Sequence, residues 1–215
     1  MTPSPVLLRR TLQIIQQLKK SYPKAHCELD HANPLQLLIA TILSAQCTDV
    51  RVNLVTPALF VRCCNASDYA TIPQTELEGI IRSTGFYRAK ARSIRACATA
   101  LVSEHQGEVP QTMKELHLLA GVGRKTANVV LGNAFNLAEG VVVDTHVGRL
   151  SRRMGLTRQV DPVKVESVLV KLVPKKEWTL FSHLFIAHGR KRCPARKPDC
   201  ANCEILKLCP RIGAR

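Results

Sequence analysis

Apolar residues recur at helical spacing along almost the whole chain, and no sustained period-two alternation interrupts the pattern. Leu8, Leu12, Ile15 and Leu18 form one stripe, and Val165, Val168, Leu169 and Leu172 form another. Such a chain folds as helices packed on helices, because a sheet needs alternating strands to bury one of its faces. Start signals agree: Asn33 precedes Pro34, Asp161 precedes Pro162, and Thr75 stands three residues before Glu78 as a candidate capping box. Gly85, Gly107, Gly155 and Gly189 each come after a helical pattern, the place of a helix-ending glycine. The run "GVVVDT" has a strand's composition but no second strand to pair with, so it is read as the buried entry to a helix. The expectation is an all-α chain of about ten helices, without repeats or low-complexity linkers.

With 46% hydrophobic residues in 215, the chain can bury one large core or two modest ones. Thirty-one Lys and Arg against sixteen Asp and Glu leave a formal charge of +15, a field that draws in polyanions. No apolar run approaches the roughly 20 residues needed to span a bilayer, so no membrane role is expected. The start "MTPSPVLLRR" lacks a basic-then-apolar signal pattern, and a cytoplasmic protein with nucleic acid as its partner is the expectation.

The stretch "AGVG" at 120–123 lies between the helical patterns "TMKELHLL" and "RKTANVVLGNAF". Gly121 and Gly123 permit a tight turn between antiparallel helices, so the segment reads as a helix-hairpin-helix or, more plainly, as a simple helix connection. In the first case, backbone N–H groups of the turn and of the next helix's first turn converge on a site that suits a DNA phosphate. Arg124 and Lys125 favour that case. Two cations in a first helical turn are disfavoured by the macrodipole, by a few tenths to about 1 kcal/mol each. A bound phosphate would neutralise both, and that alone accounts for them. Whether Lys125 also does chemistry depends on a second group, for which Asp144 in "VVVDTHVG" is the candidate; an Asp just before a helical stretch is equally a good N-cap, and both roles can coexist.

Nine cysteines without a signal pattern, odd in number, point to reduced thiols rather than a disulfide framework. Cys27, Cys47, Cys63, Cys64 and Cys97 are scattered among apolar residues and read as small buried hydrophobes. Cys193, Cys200, Cys203 and Cys209 form a C-x6-C-x2-C-x5-C cluster, a ligand set for tetrahedral zinc or for a [4Fe-4S] cluster. The first gap carries Arg196 and Lys197 between Pro194 and Pro198, with Lys191 and Arg192 beside it. This loop reads as a phosphate-binding edge or as a solvated basic turn.

"LLIATILSAQCTD", "LLAGVGRKTANVVL", "VVVDTHVGR" and the closing cysteine cluster, in this order from about Pro34 to Cys209, together resemble the endonuclease III family of DNA glycosylases and abasic-site lyases. The resemblance implies a six-helix barrel domain, 27–139, with its helix-hairpin-helix at about 113–135. It implies a second helical domain from both chain ends, 1–26 and 140–215, carrying a [4Fe-4S] cluster on the loop 193–209, and an active site in the cleft between the two. The choice between zinc and iron-sulfur falls on iron-sulfur through the resemblance. Lys125 then matches the family nucleophile and Asp144 its catalytic carboxylate. Gln46 matches the residue that fills the space of the extruded base, and Phe86 the wedge that enters the duplex. Residue chemistry alone gives Gln46 and Phe86 no such role: they read as a helix-surface residue and a core aromatic. Two departures stand out: Ala120 replaces a proline usual before the hairpin, and the wedge is more commonly aliphatic than aromatic.

The implied activity is excision of oxidised pyrimidines of the thymine glycol type from double-stranded DNA, followed by β-elimination at the abasic site, by a monomer in base excision repair. The rivals are a monofunctional mismatch glycosylase of the same superfamily and a non-catalytic iron-sulfur DNA-binding protein. Lys125, and an end at Arg215 without a recognition domain, are expected to separate this chain from the first. His146 and His188 are read as hydrogen-bonded structural residues.

Overall fold

A computed structural model describes residues 3–214; residues 1, 2 and 215, which the expected chain-end domain includes, lie outside it. Among the described residues there are eleven α-helices, three short 3-10 turns and no strand. The chain divides into two compact units, one contiguous from Cys27 to Glu139, the other built from the two chain ends, up to His26 and from Gly140 onward.

The contiguous unit holds α2 (Pro34–Leu43), α3 (Asp49–Arg62), α4 (Ala66–Thr71), α5 (Gln74–Ile81), α6 (Tyr87–Glu104), α7 (Met113–Leu118) and α8 (Arg124–Ala134). Its core is centred on α2, whose Leu37 to Ala40 are fully buried; α2 packs on α8, and α4 and α5 pack on α6. The helix starts are set by short polar side chains. Asn33 accepts from Gln36 N–H at 2.9 Å ahead of Pro34, and Thr48 and Thr112 cap α3 and α7 in the same way. The expected capping box at Thr75 and Glu78 does not form. Pro73 takes the N-cap position of α5, placing Thr75 inside the first turn, and Glu78 accepts from the Gln74 side chain instead. The reciprocal box belongs to Asn65 and Asp68 at α4.

The chain-end unit holds α1 (Pro5–Ser21), α9 (Thr145–Arg153), α10 (Pro162–Leu172) and α11 (Trp178–Lys191). Its core joins Ile14, Ile15 and Leu18 of α1 to Val147 and Leu150 of α9, Val165 and Leu169 of α10, and Phe181 and Phe185 of α11. The buried face of α1 is therefore rotated from the expected stripe: Thr11 and Ile14 point inward while Leu12 is exposed. "GVVVDT" is non-helical and buried at Val141, reaches the N-cap of α9 at Asp144 and enters the helix at Thr145. Gly85, Gly107 and Gly155 come after helical segments at positive φ, as expected. Gly189 does not end a helix. It lies inside α11, where an added Cβ would stand 2.6 Å from His146 Nδ1 and 3.1 Å from an Arg149 nitrogen, so its role is to let α11 approach α9. Among the described residues, no helix is long and apolar enough to cross a membrane.

Candidate active site

The hairpin is a four-residue turn closed by Val122 N–H to Leu119 C=O at 3.1 Å, with Gly121 third in the turn at φ +79°. That is the type II pattern, which demands glycine third and favours proline second, at Ala120. Gly121 is fixed twice over, since a Cβ there would also lie 3.0 Å from Ser93 Cβ. Gly123 is different: its φ of −85° suits any residue and its Cβ would meet nothing within 4 Å. The protein's own packing does not require a glycine here.

Gly123 is the N-cap of α8 and brings no side-chain oxygen to the helix's first N–H groups. Arg124 and Lys125 are the first two residues of α8, both exposed. The turn, the positive end of the helix dipole and two cations thus face solvent at one spot, with Val122 buried beneath as the anchor.

Asp144 belongs to the chain-end unit and is the N-cap of α9: its Oδ1 accepts from Val147 N–H at 2.7 Å. One carboxylate oxygen is thus engaged with backbone, which fixes the rotamer and leaves the second oxygen for other work.

Gln46 and Phe86 stand on two loops of the contiguous unit, each exposed and each at positive φ, 52° and 47°. A left-handed backbone at non-glycine residues costs free energy that surrounding structure must hold in place. Phe86, expected from residue chemistry as a core aromatic, is 67% exposed as the N-cap of α6. Nothing in its sequence surroundings betrays this.

In the chain-end unit Cys193, Cys200, Cys203 and Cys209 line one pocket together with Arg153 and His188. Four thiols on one pocket are a donor set for tetrahedral zinc or for a [4Fe-4S] cluster. Burial pushes the Cys203 thiol up to about 11 and raises that of Cys209, so these thiols favour protons that a metal would displace. Arg153, in a run of arginines that gave no sign of it, is the loop's tether. Its guanidinium donates to Cys193 Sγ at 3.3 Å, Pro194 C=O at 2.6 Å and Ala195 C=O at 2.7 Å, and its own carbonyl lies 3.6 Å from Cys209 Sγ. Arg196 and Lys197 project exposed from the loop, Lys197 at φ 52°, and Lys191 Nζ sits 5.9 Å from the Tyr22 ring centroid. His188 is buried, 3.2 Å from Tyr22 Oη and 3.0 Å from Glu204 Oε1, and His146 Nδ1 lies 3.2 Å from an Arg149 nitrogen, both as structural residues. Of the scattered cysteines Cys63 and Cys97 are buried, Cys27 and Cys47 partly so, and Cys64 is exposed just past the end of α3.

The chain belongs to the HhH-GPD superfamily of base excision DNA repair proteins, whose sequence model matches residues 39–175. Within that superfamily it falls in the endonuclease III family. The endonuclease III of Synechocystis sp. is 54% identical over 206 residues, covering 96% of this chain and 94% of the relative. A solved non-covalent endonuclease III–DNA complex is 46% identical with a TM-score of 0.89, covering 95% of each chain. A trapped endonuclease III–DNA covalent intermediate is 47% identical with a TM-score of 0.87, covering 94% of this chain and 96% of the other.

Proposed function

We propose that the chain is a bifunctional DNA glycosylase and abasic-site lyase of base excision repair, acting on oxidised pyrimidines in duplex DNA with Lys125 as nucleophile. The observation that carries this reading is the hairpin: an exposed lysine at the second position of α8, two residues after a glycine that the protein's own packing does not require. Gly121, Gly123 and Arg124 hold a backbone phosphate of the damaged strand, with further phosphates on Lys191, Arg196 and Lys197. Gln46 and Phe86 occupy the space the damaged nucleotide leaves, offsetting the few kcal/mol of unstacking.

Attack requires the neutral amine. Lys125 Nζ forms a bond to C1′ as the bond from C1′ to the base breaks, and the base departs with its electron pair and a proton. Asp144 stabilises the positive charge that develops on the sugar and accepts the proton the amine loses, its geometry held by the α9 cap. The nitrogen lone pair then opens the sugar ring: C1′–O4′ breaks, O4′ takes the proton that Asp144 had accepted, and the C=N bond of an imine forms. The imine acidifies C2′–H; loss of that proton forms the C=C bond and expels the 3′ phosphate. Water then releases the sugar fragment and restores the lysine.

The four cysteines would hold a [4Fe-4S] cluster, which supplies cross-linking of the 193–209 loop and no step of the chemistry. The reading takes the protein as a monomer that works in the cytoplasm, on the nucleoid if the chain is bacterial.

Borohydride trapping on a duplex with a single thymine glycol tests the reading. Wild type gives a covalent protein–DNA adduct, and Lys125→Gln binds the duplex without one. Strand cleavage retained by Lys125→Gln, or binding by both proteins without any adduct, would overturn the role of Lys125 and leave a monofunctional glycosylase or a binding protein.

A further inference from the structure

Lys90 is 5% exposed, in the first turn of α6, and takes no part in the chemistry assigned to Lys125 and Asp144. Its Nζ donates to Leu43 C=O and to Thr84 C=O, each at 2.8 Å. Leu43 is the last residue of α2 and Thr84 the last of the 3-10 turn Arg82–Thr84. Carbonyls at such ends lack intrahelical donors and carry the negative end of the helix dipole, so one ammonium caps two C-termini at once.

Each of these carbonyls stands just ahead of an exposed loop residue. Three residues after Leu43 comes Gln46; two after Thr84 comes Phe86. The backbone of Lys90 is tied to the same place, its N–H donating to Phe86 C=O at 3.0 Å. Both loops hold their exposed side chain on a left-handed backbone, a conformation that persists only where neighbours over-determine it. Burying a cation is costly unless it is fully paired, and an apolar residue would fill this space more cheaply.

We infer that Lys90 is a positioning residue for duplex opening: by fastening the end of α2 to the turn before α6, it sets the spacing between Gln46 and Phe86 and makes the two loops act as one device. This rests on the assignment of Gln46 and Phe86 to the opened duplex. Burial also disfavours the charged form of this amine, and the two carbonyls offset that cost.

The test compares single-turnover lyase rates on a preformed abasic site in duplex and in single-stranded DNA, where no stack has to be opened. Alongside it, the fluorescence of 2-aminopurine opposite a tetrahydrofuran site reports opening directly. Lys90→Met is expected to lower the duplex-to-single-strand rate ratio on the order of tenfold and to reduce the fluorescence rise. Lys90→Arg, which keeps cation and donors, restores most of both. Gln46→Ala and Phe86→Ala each lower the same ratio, and in the double loop variant Lys90→Met lowers it no further. Should Lys90→Met not fold, Lys90→Gln, which retains donors for one carbonyl, takes its place. Equal losses on both substrates, or an unchanged ratio beside lowered ratios for the loop variants, would make Lys90 merely structural and overturn the inference. Unchanged ratios for Gln46→Ala and Phe86→Ala would instead remove the loop assignment, and Lys90's role with it.

Discussion

Gly121 and Gly123 stand two residues apart and answer to different forces. Gly121→Ala places a side chain at φ +79° and 3.0 Å from Ser93 Cβ, so it should cost about 1 to 3 kcal/mol of stability. Gly123→Ala enters open space at an ordinary φ and should cost roughly half a kcal/mol or less. On the proposed reading the second change nonetheless weakens duplex binding, because the new methyl stands where the phosphate comes. Thermal unfolding and a binding titration on both variants separate the two, and wild-type affinity in Gly123→Ala would remove the phosphate from the hairpin. Asp144 allows a similar separation. Asparagine caps a helix as well as aspartate, so Asp144→Asn should keep wild-type stability while losing turnover, whereas Asp144→Ala should lose turnover and about 1 kcal/mol as well. Normal turnover in Asp144→Asn would reduce the residue to a cap.

Among the elements, the hairpin carries a correctable weakness. Ala120 is second in a turn whose third residue has positive φ, the place where proline lowers the entropy of the unfolded chain without strain. Ala120→Pro should therefore stabilise by about 0.4 to 1 kcal/mol, raising the melting temperature by about 1 to 4 °C in a calorimeter. A lower melting temperature would mean that the turn is not of the type described. The Asn33–Pro34 and Asp161–Pro162 starts are local devices, complete within a few residues, and they were legible. Thr75 and Glu78 have the right spacing but lost the N-cap position to Pro73, a competition the spacing does not record. Gly189 looks like a helix stop because glycine's absent side chain serves two unrelated ends; only the approach of α9 distinguishes them. Lys90 and Arg153 were invisible for a deeper reason. Their partners, Cys193 Sγ apart, are backbone carbonyls, which every sequence possesses and none displays.

At the scale of the whole molecule, the excess of +15 lies in the chain-end unit, since residues 27–139 carry ten Lys and Arg against ten Asp and Glu, and it sets a long-range attraction for DNA that salt should weaken steeply. Replacing an exposed cation that meets a phosphate shallows the slope of log affinity against log salt by about one, so Arg196→Ala should do this for damaged and undamaged duplex alike. An unchanged slope would leave the 193–209 loop a solvated basic turn. The division of the chain into units carries a further implication, for the order of assembly. Residues 27–139 can close their core as soon as they have been synthesised, since every residue of that core lies within the stretch. Helix α1 is made before them and packs on α10, α11 and the turn Leu206–Leu208, which are made after. Helix α1 thus waits through the synthesis of an entire unit, with Ile14, Ile15 and Leu18 uncovered until the segments that pack on them emerge, and the cysteines that close the 193–209 loop arrive only then.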